Sequence, residues 1–164
     1  MTIKLLPEDV VLKIAAGEVI ERPASIVKEL IENSIDAGAT SIQVELQEDV
    51  IKITDDGCGM NEEDLRLSYY RHATSKITRD EDLFNIRSLG FRGEALASIA
   101  AVSLLEITSK TTQDDSAHKL ILEGGIEISC GPSAFPYSSG TIIDVKNVFF
   151  NTPARKKYMK TKAA

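Results

Sequence analysis

The 164-residue chain contains 43% hydrophobic and 27% charged residues and carries a net charge of −6, a composition that fits one folded domain and excludes an intrinsically disordered protein. No apolar run approaches the roughly 20 residues of a membrane span, and the amino terminus lacks the apolar core of a secretory signal. Two cysteines are too few for a disulfide framework or a four-cysteine zinc site, so we expect a reducing compartment, by default the cytoplasm.

Two helices are predicted at the start of the chain. The first covers residues 7 to about 21, and its predicted buried side consists of Val10, Val11, Ile14, Ala15 and Val19. The second begins at Pro23, because proline is favoured at the first helical position, and it ends near Gly38.

One polar stripe follows the second helix. Glu29, Asn33 and Asp36 are spaced so that they share one side of it, away from the apolar arc. A carboxylate one turn from a carboxamide can activate water and bind Mg²⁺. The same spacing also fits the solvated face of an amphipathic helix, so the stripe by itself leaves both interpretations open.

A β-hairpin with a glycine-rich turn comes next. Apolar residues alternate with polar ones over residues 42–46 and 51–53, on either side of a turn at 48–49. The sequence DDGCG (residues 55–59) follows directly. Its two glycines let the backbone approach a ligand, and the Asp55 carboxylate can accept a hydrogen bond from an exocyclic amine. A plain turn is the alternative.

The middle of the chain contains two short helices and a long connection. Asn61 is the predicted N-cap of a helix over residues 62–70, and a second short helix is predicted over 94–101. Residues 73–91 are irregular and long for a connection, which is typical of a functional lid. The sequence GFRGE (residues 90–94) would present free backbone N–H groups at a helix amino terminus, where phosphate binds, with Arg92 and Lys76 adding positive charge.

The rest of the chain is predicted to be mostly strand. Strands are expected over residues 104–110, 118–122, 126–129 and 141–148, with a surface loop over 131–140 and a last helix that starts at 151–153. Early helices followed by an antiparallel meander predict an α+β sandwich with the helices on one face of the sheet.

Positive charge is concentrated at the end of the chain. Residues 151–164 contain five basic side chains and no acidic one, whereas the first 150 residues carry a balance of −11. This segment fits either a nucleic-acid contact or the solvated face of a helix.

Five segments, in order, resemble the ATPase motifs of the superfamily that comprises gyrase, heat-shock chaperone, histidine kinase and MutL. The resemblance is strongest to the MutL DNA mismatch-repair family. The segments are IAAGEVIERPASIVKELIENSIDAGAT (residues 14–40), DDGCGM (55–60), RHATSKI (71–77), GFRGEALASIA (90–100) and GT…NTPARKKYMK (140–160). Single motifs of this kind are weak, but five in family order over nearly the whole chain are specific. Asp56 departs from the family, which usually has Asn there.

The resemblance implies a Bergerat-type (GHKL) fold, a mixed and mostly antiparallel sheet backed by helices, with ATP and Mg²⁺ as cofactors. Glu29 matches the general base, Asn33 the Mg²⁺ ligand, and Asp55 the carboxylate that reads the adenine amino group. Thr141 matches the residue that supports the adenine base through a water molecule. The remaining expected nucleotide-binding residues are Gly57, Gly59, Met60, Thr74, Lys76, Gly90, Phe91, Arg92, Gly93, Glu94, Ala95 and Leu96.

The resemblance also implies a wider context. Family members continue into a second (transducer) domain that supplies a phosphate-contacting lysine, and into a carboxy-terminal dimerisation domain. We therefore expect residues 1–164 to form a single, truncated ATP-binding domain with impaired turnover. The implied partners are a MutS-type mismatch sensor, DNA, a downstream nuclease or helicase and a second copy in an ATP-dependent dimer, with no membrane. The implied location is cytoplasmic and nucleoid-associated in a bacterium, or nuclear in a eukaryote. A topoisomerase-type ATPase and a nucleotide-binding scaffold without turnover are the alternatives.

Overall fold

The computed structural model describes residues 1–71, 73 and 94–163. Nearly all of the predicted lid, residues 73–91, therefore lies outside the described residues. The helices are α1 (Glu8–Val19), α2 (Pro23–Asp36), α3 (Glu62–Leu67), α4 (Ala95–Ala101) and α5 (Pro153–Ala163). The strands are β1 (Ile42–Gln47), β2 (Val50–Asp55), β3 (Leu104–Lys110), β4 (Ala117–Glu123), β5 (Ile126–Ser133) and β6 (Gly140–Lys146).

Local sequence explains where α2 and α3 begin and end. Pro23 occupies the first turn of α2. The helix ends in a Schellman motif, in which Gly38 at φ +73° donates to the Ile35 carbonyl and Ala39 to the Ser34 carbonyl. At α3, the predicted cap is confirmed, since Asn61 Oδ1 accepts from the Asp64 N–H at 2.8 Å. Helix α3 ends at Leu67, three residues earlier than predicted.

All six strands form one antiparallel sheet in the order β1-β2-β6-β3-β4-β5. The late strand β6 lies between β2 and β3, so that the hairpin and the meander become one sheet. Strand β5 runs to Ser133, which corrects the predicted loop over residues 131–140, because residues 131–133 pair with β4. The predicted α+β sandwich is confirmed.

The core lies on one face of this sheet. Two cross-strand rows of apolar side chains cover it: Ile53, Ile143, Ile107 and Leu120 form one, and Ile51, Val145, Leu105 and Leu122 form the other. Helix α2 packs over β1 and β2, while α3 and α4 pack over β3 and β4. The opposite face is charged, with Glu106 paired to Lys119 and Lys146 at 3.2 Å each. None of the described helices is long and apolar enough to span a membrane.

Helix α1 buries a different side from the predicted one. Ile14 and Val19 are 51% and 40% exposed, whereas Ala16 and Ile20 are buried. Helix α1 packs against α4, so the direction of that contact decides which side is buried. Apolar residues surround much of α1, and the local pattern therefore does not single out the side that faces α4.

The last helix is joined to the ends of two earlier ones. Arg155 donates through Nη2 to the carbonyls of Gly17 and Ile20 at the end of α1, and its guanidinium lies over the Phe149 and Tyr158 rings. Asn151 Nδ2 donates to the Ala101 carbonyl at the end of α4, at 2.9 Å. A cation at a helix carboxyl end also interacts favourably with the helix dipole. The Arg155 side chain of this basic segment therefore points inward and caps the carboxyl end of α1.

Candidate functional site

A third row on the inner face of the sheet is polar, where the other two are apolar. Asp55 on β2, Thr141 on β6 and Ser109 on β3 are direct cross-strand neighbours. They are only 6%, 7% and 1% exposed. Burying three polar side chains is unfavourable unless hydrogen bonds satisfy them. A buried polar row at one end of an apolar face therefore marks this end of the sheet as the candidate site.

The Asp55 carboxylate is held by two donors. Ser34 Oγ donates to Oδ2 at 2.7 Å, and the Gly57 N–H donates to Oδ1 at 2.9 Å. Each carboxylate oxygen can accept more than one hydrogen bond, so both keep acceptor capacity. An ionised carboxylate can only accept hydrogen bonds, so this end of the site favours a ligand group that donates one.

The turn after Asp55 lies against neighbouring backbone and has no room for side chains at its glycines. Gly59 has φ +70°, and a Cβ there would lie 1.9 Å from the Lys110 carbonyl oxygen. A Cβ on Gly57 would lie 2.8 Å from the Ala37 Cβ. Across the sheet, a Cβ on Gly140 would lie 2.0 Å from the Asp55 carbonyl oxygen. The two predicted glycines thus bring the backbone against α2 and β3, beside the polar row.

Ser109 connects this turn to β6. Its Oγ accepts from the Met60 N–H at 2.8 Å and lies 2.8 Å from Thr141 Oγ1 and 2.9 Å from the Gly140 carbonyl oxygen. Beyond Ser109 the row ends at His118, whose Nε2 lies 3.3 Å from Glu62 Oε2 on α3. Ser109 therefore joins the predicted residues Met60 and Thr141, and Thr141 is the cross-strand neighbour of Asp55.

Helix α2, which carries the polar stripe, is joined to Asp55 through Ser34. Glu29, Asn33 and Asp36 are half-buried on α2, and Ser34 is fully buried between them in sequence. The Ser34–Asp55 hydrogen bond fixes the stripe relative to the carboxylate. Among the described residues, no group of three or more His, Cys, Asp or Glu side chains is arranged to hold a metal ion.

The predicted phosphate-binding residues are only partly within the described residues. Glu94, Ala95 and Leu96 lie at the start of α4, and the Glu94 side chain is 3.5 Å from Arg71 Nε. Thr74, Lys76, Gly90, Phe91, Arg92 and Gly93 lie outside them.

Asp56, the departure from the family pattern, faces away from the polar row. Its Oδ1 accepts from the Thr40 and Ser41 N–H groups at 2.8 and 2.9 Å, and its Oδ2 accepts from the Thr40 hydroxyl at 2.6 Å. The Thr40 hydroxyl, with the Ser41 N–H, lowers the pKa of Asp56. An Asn could keep the amide contacts and donate to Thr40 Oγ1, so both residue types suit the position.

Two residues of the site were not singled out by sequence reasoning. Ser34 lies among apolar residues on α2, one turn after Leu30. Ser109 lies on β3 two residues after Ile107, on the same face of the strand. Both occupy positions where the pattern calls for a buried apolar residue. A buried-face position filled by serine is the signal that could have found them.

Comparison with known proteins gives consistent results. A family model described as histidine kinase-, DNA gyrase B-, and HSP90-like ATPase matches residues 21–127. The DNA mismatch repair protein MutL of Caldanaerobacter subterraneus subsp. tengcongensis is 58% identical over 164 residues, which cover 96% of this chain and 27% of that protein. MutL of Histophilus somni is 53% identical over 165 residues, covering 98% and 26%. The chain thus spans about a quarter of the length of these relatives.

Solved structures agree. The Aquifex aeolicus MutL ATPase domain complexed with ADP matches with a TM-score of 0.63 and 30% identity, over 88% of this chain and 51% of that one. The amino-terminal domain of a DNA repair protein matches with a TM-score of 0.74 and 31% identity, over 96% and 46%.

Proposed function

Since the chain belongs to the family of histidine kinase-, DNA gyrase B- and HSP90-like ATPases, and within it corresponds to the amino-terminal ATPase region of MutL, we propose that it binds ATP at Asp55 and hydrolyses it in DNA mismatch repair. The solved MutL domain that it resembles is described as a complex with ADP, which supports a nucleotide as the ligand.

The buried Asp55 carboxylate carries this proposal. The adenine amino group is a donor, and an acceptor-only carboxylate held by Ser34 and Gly57 is its complement. Gly57 and Gly59 let the turn that follows this carboxylate pack against Ala37 and Lys110, which holds the turn beside Asp55. The residues present therefore suit an adenine nucleotide.

We assign the hydrolysis of ATP to the polar stripe of α2. Glu29 would accept a hydrogen bond from the attacking water and take its proton as general base. Asn33, one turn further, would bind Mg²⁺ through its side-chain oxygen, as hard cations prefer oxygen ligands. Mg²⁺, when bound, neutralises phosphate charge. The Ser34 hydrogen bond to Asp55 joins α2 to β2. The contact that holds the Asp55 carboxylate therefore also sets the position of Glu29 and Asn33 relative to it.

Phosphate contacts are assigned to the segment before α4. Backbone N–H groups of residues 90–96 would bind the phosphates, with Thr74 and Lys76 adding contacts from the lid. Glu94 is the N-cap of α4, and Ala95 and Leu96 lie in its first turn.

The wider role follows from the mismatch-repair relatives. We assign this region to an ATP-driven dimerisation that signals from a MutS-type sensor on DNA to a nuclease or helicase. Because the relatives are about four times longer, the 164-residue chain alone should hydrolyse ATP more slowly than a longer protein that contains it. Equal turnover by the two would contradict this assignment.

Asp55→Asn tests the proposal directly. The amide can present a donor to the adenine amino group, and one lost charge-assisted contact should weaken ATP binding by about 1.5–3 kcal/mol, or about ten- to a hundredfold. GTP should bind poorly to the parent, since its 6-oxo group offers no donor to the Asp55 carboxylate. Both affinities are measured by equilibrium titration with and without Mg²⁺.

Asp56→Asn is the matched control, because it makes the same change one residue later, at a carboxylate that faces Thr40 and Ser41. It should leave ATP affinity unchanged. Unchanged affinity in Asp55→Asn as well would show that Asp55 does not read the base.

A further inference from the structure

Two contacts hold Gly57 in the turn that follows Asp55. Its N–H donates to Asp55 Oδ1 at 2.9 Å, and its carbonyl oxygen accepts from Ser139 Oγ at 2.8 Å. Glycine has more backbone freedom than any other residue, so local sterics do little to fix the direction of this N–H. The second donor to the Asp55 carboxylate therefore depends on contacts that reach Gly57 from other elements.

Ser139 makes its contact from a segment that the sheet holds in place. The next residue, Gly140, begins β6 and is the cross-strand partner of Lys110 on β3. A Cβ on Gly140 would lie 2.0 Å from the Asp55 carbonyl oxygen, so the chain passes directly against the start of the turn. Lys110 Nζ also donates to the Ser138 carbonyl at 3.0 Å. The Ser139 hydroxyl is thus a donor in a fixed position that faces a flexible glycine.

The Gly57–Cys58 peptide group is bound through both of its polar atoms. Ser139 donates to its carbonyl, and its N–H, which belongs to Cys58, donates to the Ala37 carbonyl at the end of α2 at 2.9 Å. Gly57 is buried, and a buried carbonyl without a donor is unfavourable. Without the Ser139 hydroxyl, this peptide group would rotate to bring its carbonyl to water. That rotation moves Gly57 relative to Asp55 and weakens the hydrogen bond to Oδ1.

The Asp55 carboxylate depends on Gly57 because its other donor holds a different oxygen. Ser34 Oγ donates to Oδ2 and leaves Oδ1 to the Gly57 N–H. With that N–H displaced, the carboxylate can turn about its Cβ–Cγ bond and loses its alignment with an adenine amino group. Hydrogen bonds weaken as alignment is lost. The effect would therefore be felt at the 6-amino group of the base and not at the phosphates.

We propose that Ser139 is a positioning residue for base recognition, which holds Gly57 against Asp55 and so directs the carboxylate at the adenine amino group. This inference rests on the proposed function, because it places that amino group at Asp55. The Ser139 hydroxyl is bound to the backbone of the turn, and its effect on the nucleotide passes through Gly57.

The test compares ATP with purine riboside triphosphate, which has the same ring nitrogens, sugar and phosphates but no 6-amino group. Ser139→Ala should lower the ratio of the two affinities about three- to tenfold, the value of one oriented hydrogen bond, by weakening the binding of ATP and not that of the analogue. Ser139→Thr keeps the hydroxyl and should restore the parent ratio. Ser139→Val has the shape of threonine without the hydroxyl and should lower the ratio. Equilibrium titration measures each affinity.

Two controls separate positioning from support of the fold. Ser138→Ala removes the neighbouring serine hydroxyl, at an exposed residue that Lys110 holds through its carbonyl, and should leave the ratio unchanged. In an Asp55→Asn background, Ser139→Ala should have no further effect on the ratio, because the carboxylate that Gly57 holds is gone.

The inference is overturned if Ser139→Ala leaves the ratio unchanged, either by weakening both nucleotides equally or by weakening neither. It is also overturned if Ser139→Thr and Ser139→Val behave alike, or if the effect persists in the Asp55→Asn background. The proposed function fails in a different way: the parent would then bind the two nucleotides equally well, and Asp55→Asn would not alter their ratio.

Discussion

The Ser34 hydroxyl on α2 donates to Asp55 Oδ2 on β2 at 2.7 Å, and both side chains are buried. This hydrogen bond joins the helix that carries Glu29 and Asn33 to the strand that carries the base-reading carboxylate. A single contact between helix and sheet thus links the proposed catalytic residues to the proposed base pocket.

Ser34→Ala should weaken ATP binding about tenfold. The variant removes one of the two donors that hold Asp55, and a hydrogen bond to a charged group contributes about 1.5–3 kcal/mol. Equilibrium titration with ATP measures the change. Ser103→Ala, a buried serine outside the polar row, is the control and should keep the parent affinity. Equal affinities in the two variants would rule out a role for Ser34 in holding the carboxylate.

Glu29→Ala and Asn33→Ala should separate binding from chemistry in a full-length protein. Glu29→Ala should keep ATP affinity and lower turnover by about 10²–10⁴-fold, the usual contribution of a general base. Asn33→Ala should reduce the part of the affinity that depends on Mg²⁺. Titrations with and without Mg²⁺, together with steady-state turnover, measure both effects. The same loss of affinity in the two variants would contradict this division of roles.

Asp56 should make stability depend on pH at the acid end. In the folded protein the pKa of Asp56 is lowered below the ordinary value of an aspartate, chiefly by the hydrogen bond from the Thr40 hydroxyl. A carboxylate with a depressed folded pKa stabilises the fold above its unfolded pKa, and this contribution is lost as pH falls through the folded pKa. The difference in unfolding free energy between the parent and Asp56→Asn should therefore shrink as the pH falls below about 5.

Asp114→Asn provides the comparison for that experiment. The Thr111 N–H and hydroxyl likewise lower the pKa of Asp114, in the turn after β3. The difference in unfolding free energy between the parent and Asp114→Asn should therefore also shrink as the pH falls. Neither variant should alter ATP affinity at neutral pH. A difference between parent and Asp56→Asn that stays constant over this pH range would show that the Thr40 contact does not favour the charged form.

Arg155→Ala should lower the free energy of unfolding by about 2–3 kcal/mol, since it removes a charged donor from the carbonyls at the end of α1. Arg155→Lys should recover part of the loss, because lysine keeps the charge but not the planar stacking on Phe149 and Tyr158. Urea unfolding measures both. Lys156→Ala removes one positive charge from the same helix and should have little effect; an equal loss there would assign the effect to charge alone.

Sequence patterns identified the elements whose signals are local. The Asn61 cap, Pro23 at the start of α2 and Gly38 at its end depend on bonds within a few residues, so the structure places them as predicted. The alternating strands and the glycines of residues 55–59 are local signals as well. Together with the ordered motifs, these signals were sufficient to predict the α+β sandwich and the family.

The tertiary structure alone decided which residues meet. Strand β6 lies between β2 and β3, about 90 residues from β2 in sequence, and this pairing makes Thr141 the neighbour of both Asp55 and Ser109. The buried roles of Ser34 and Ser109, and the inward turn of Arg155, depend on partners that are distant along the chain. Periodicity shows which residues share a face of one element, but contacts between elements depend on how these pack, a property that no local window of sequence contains.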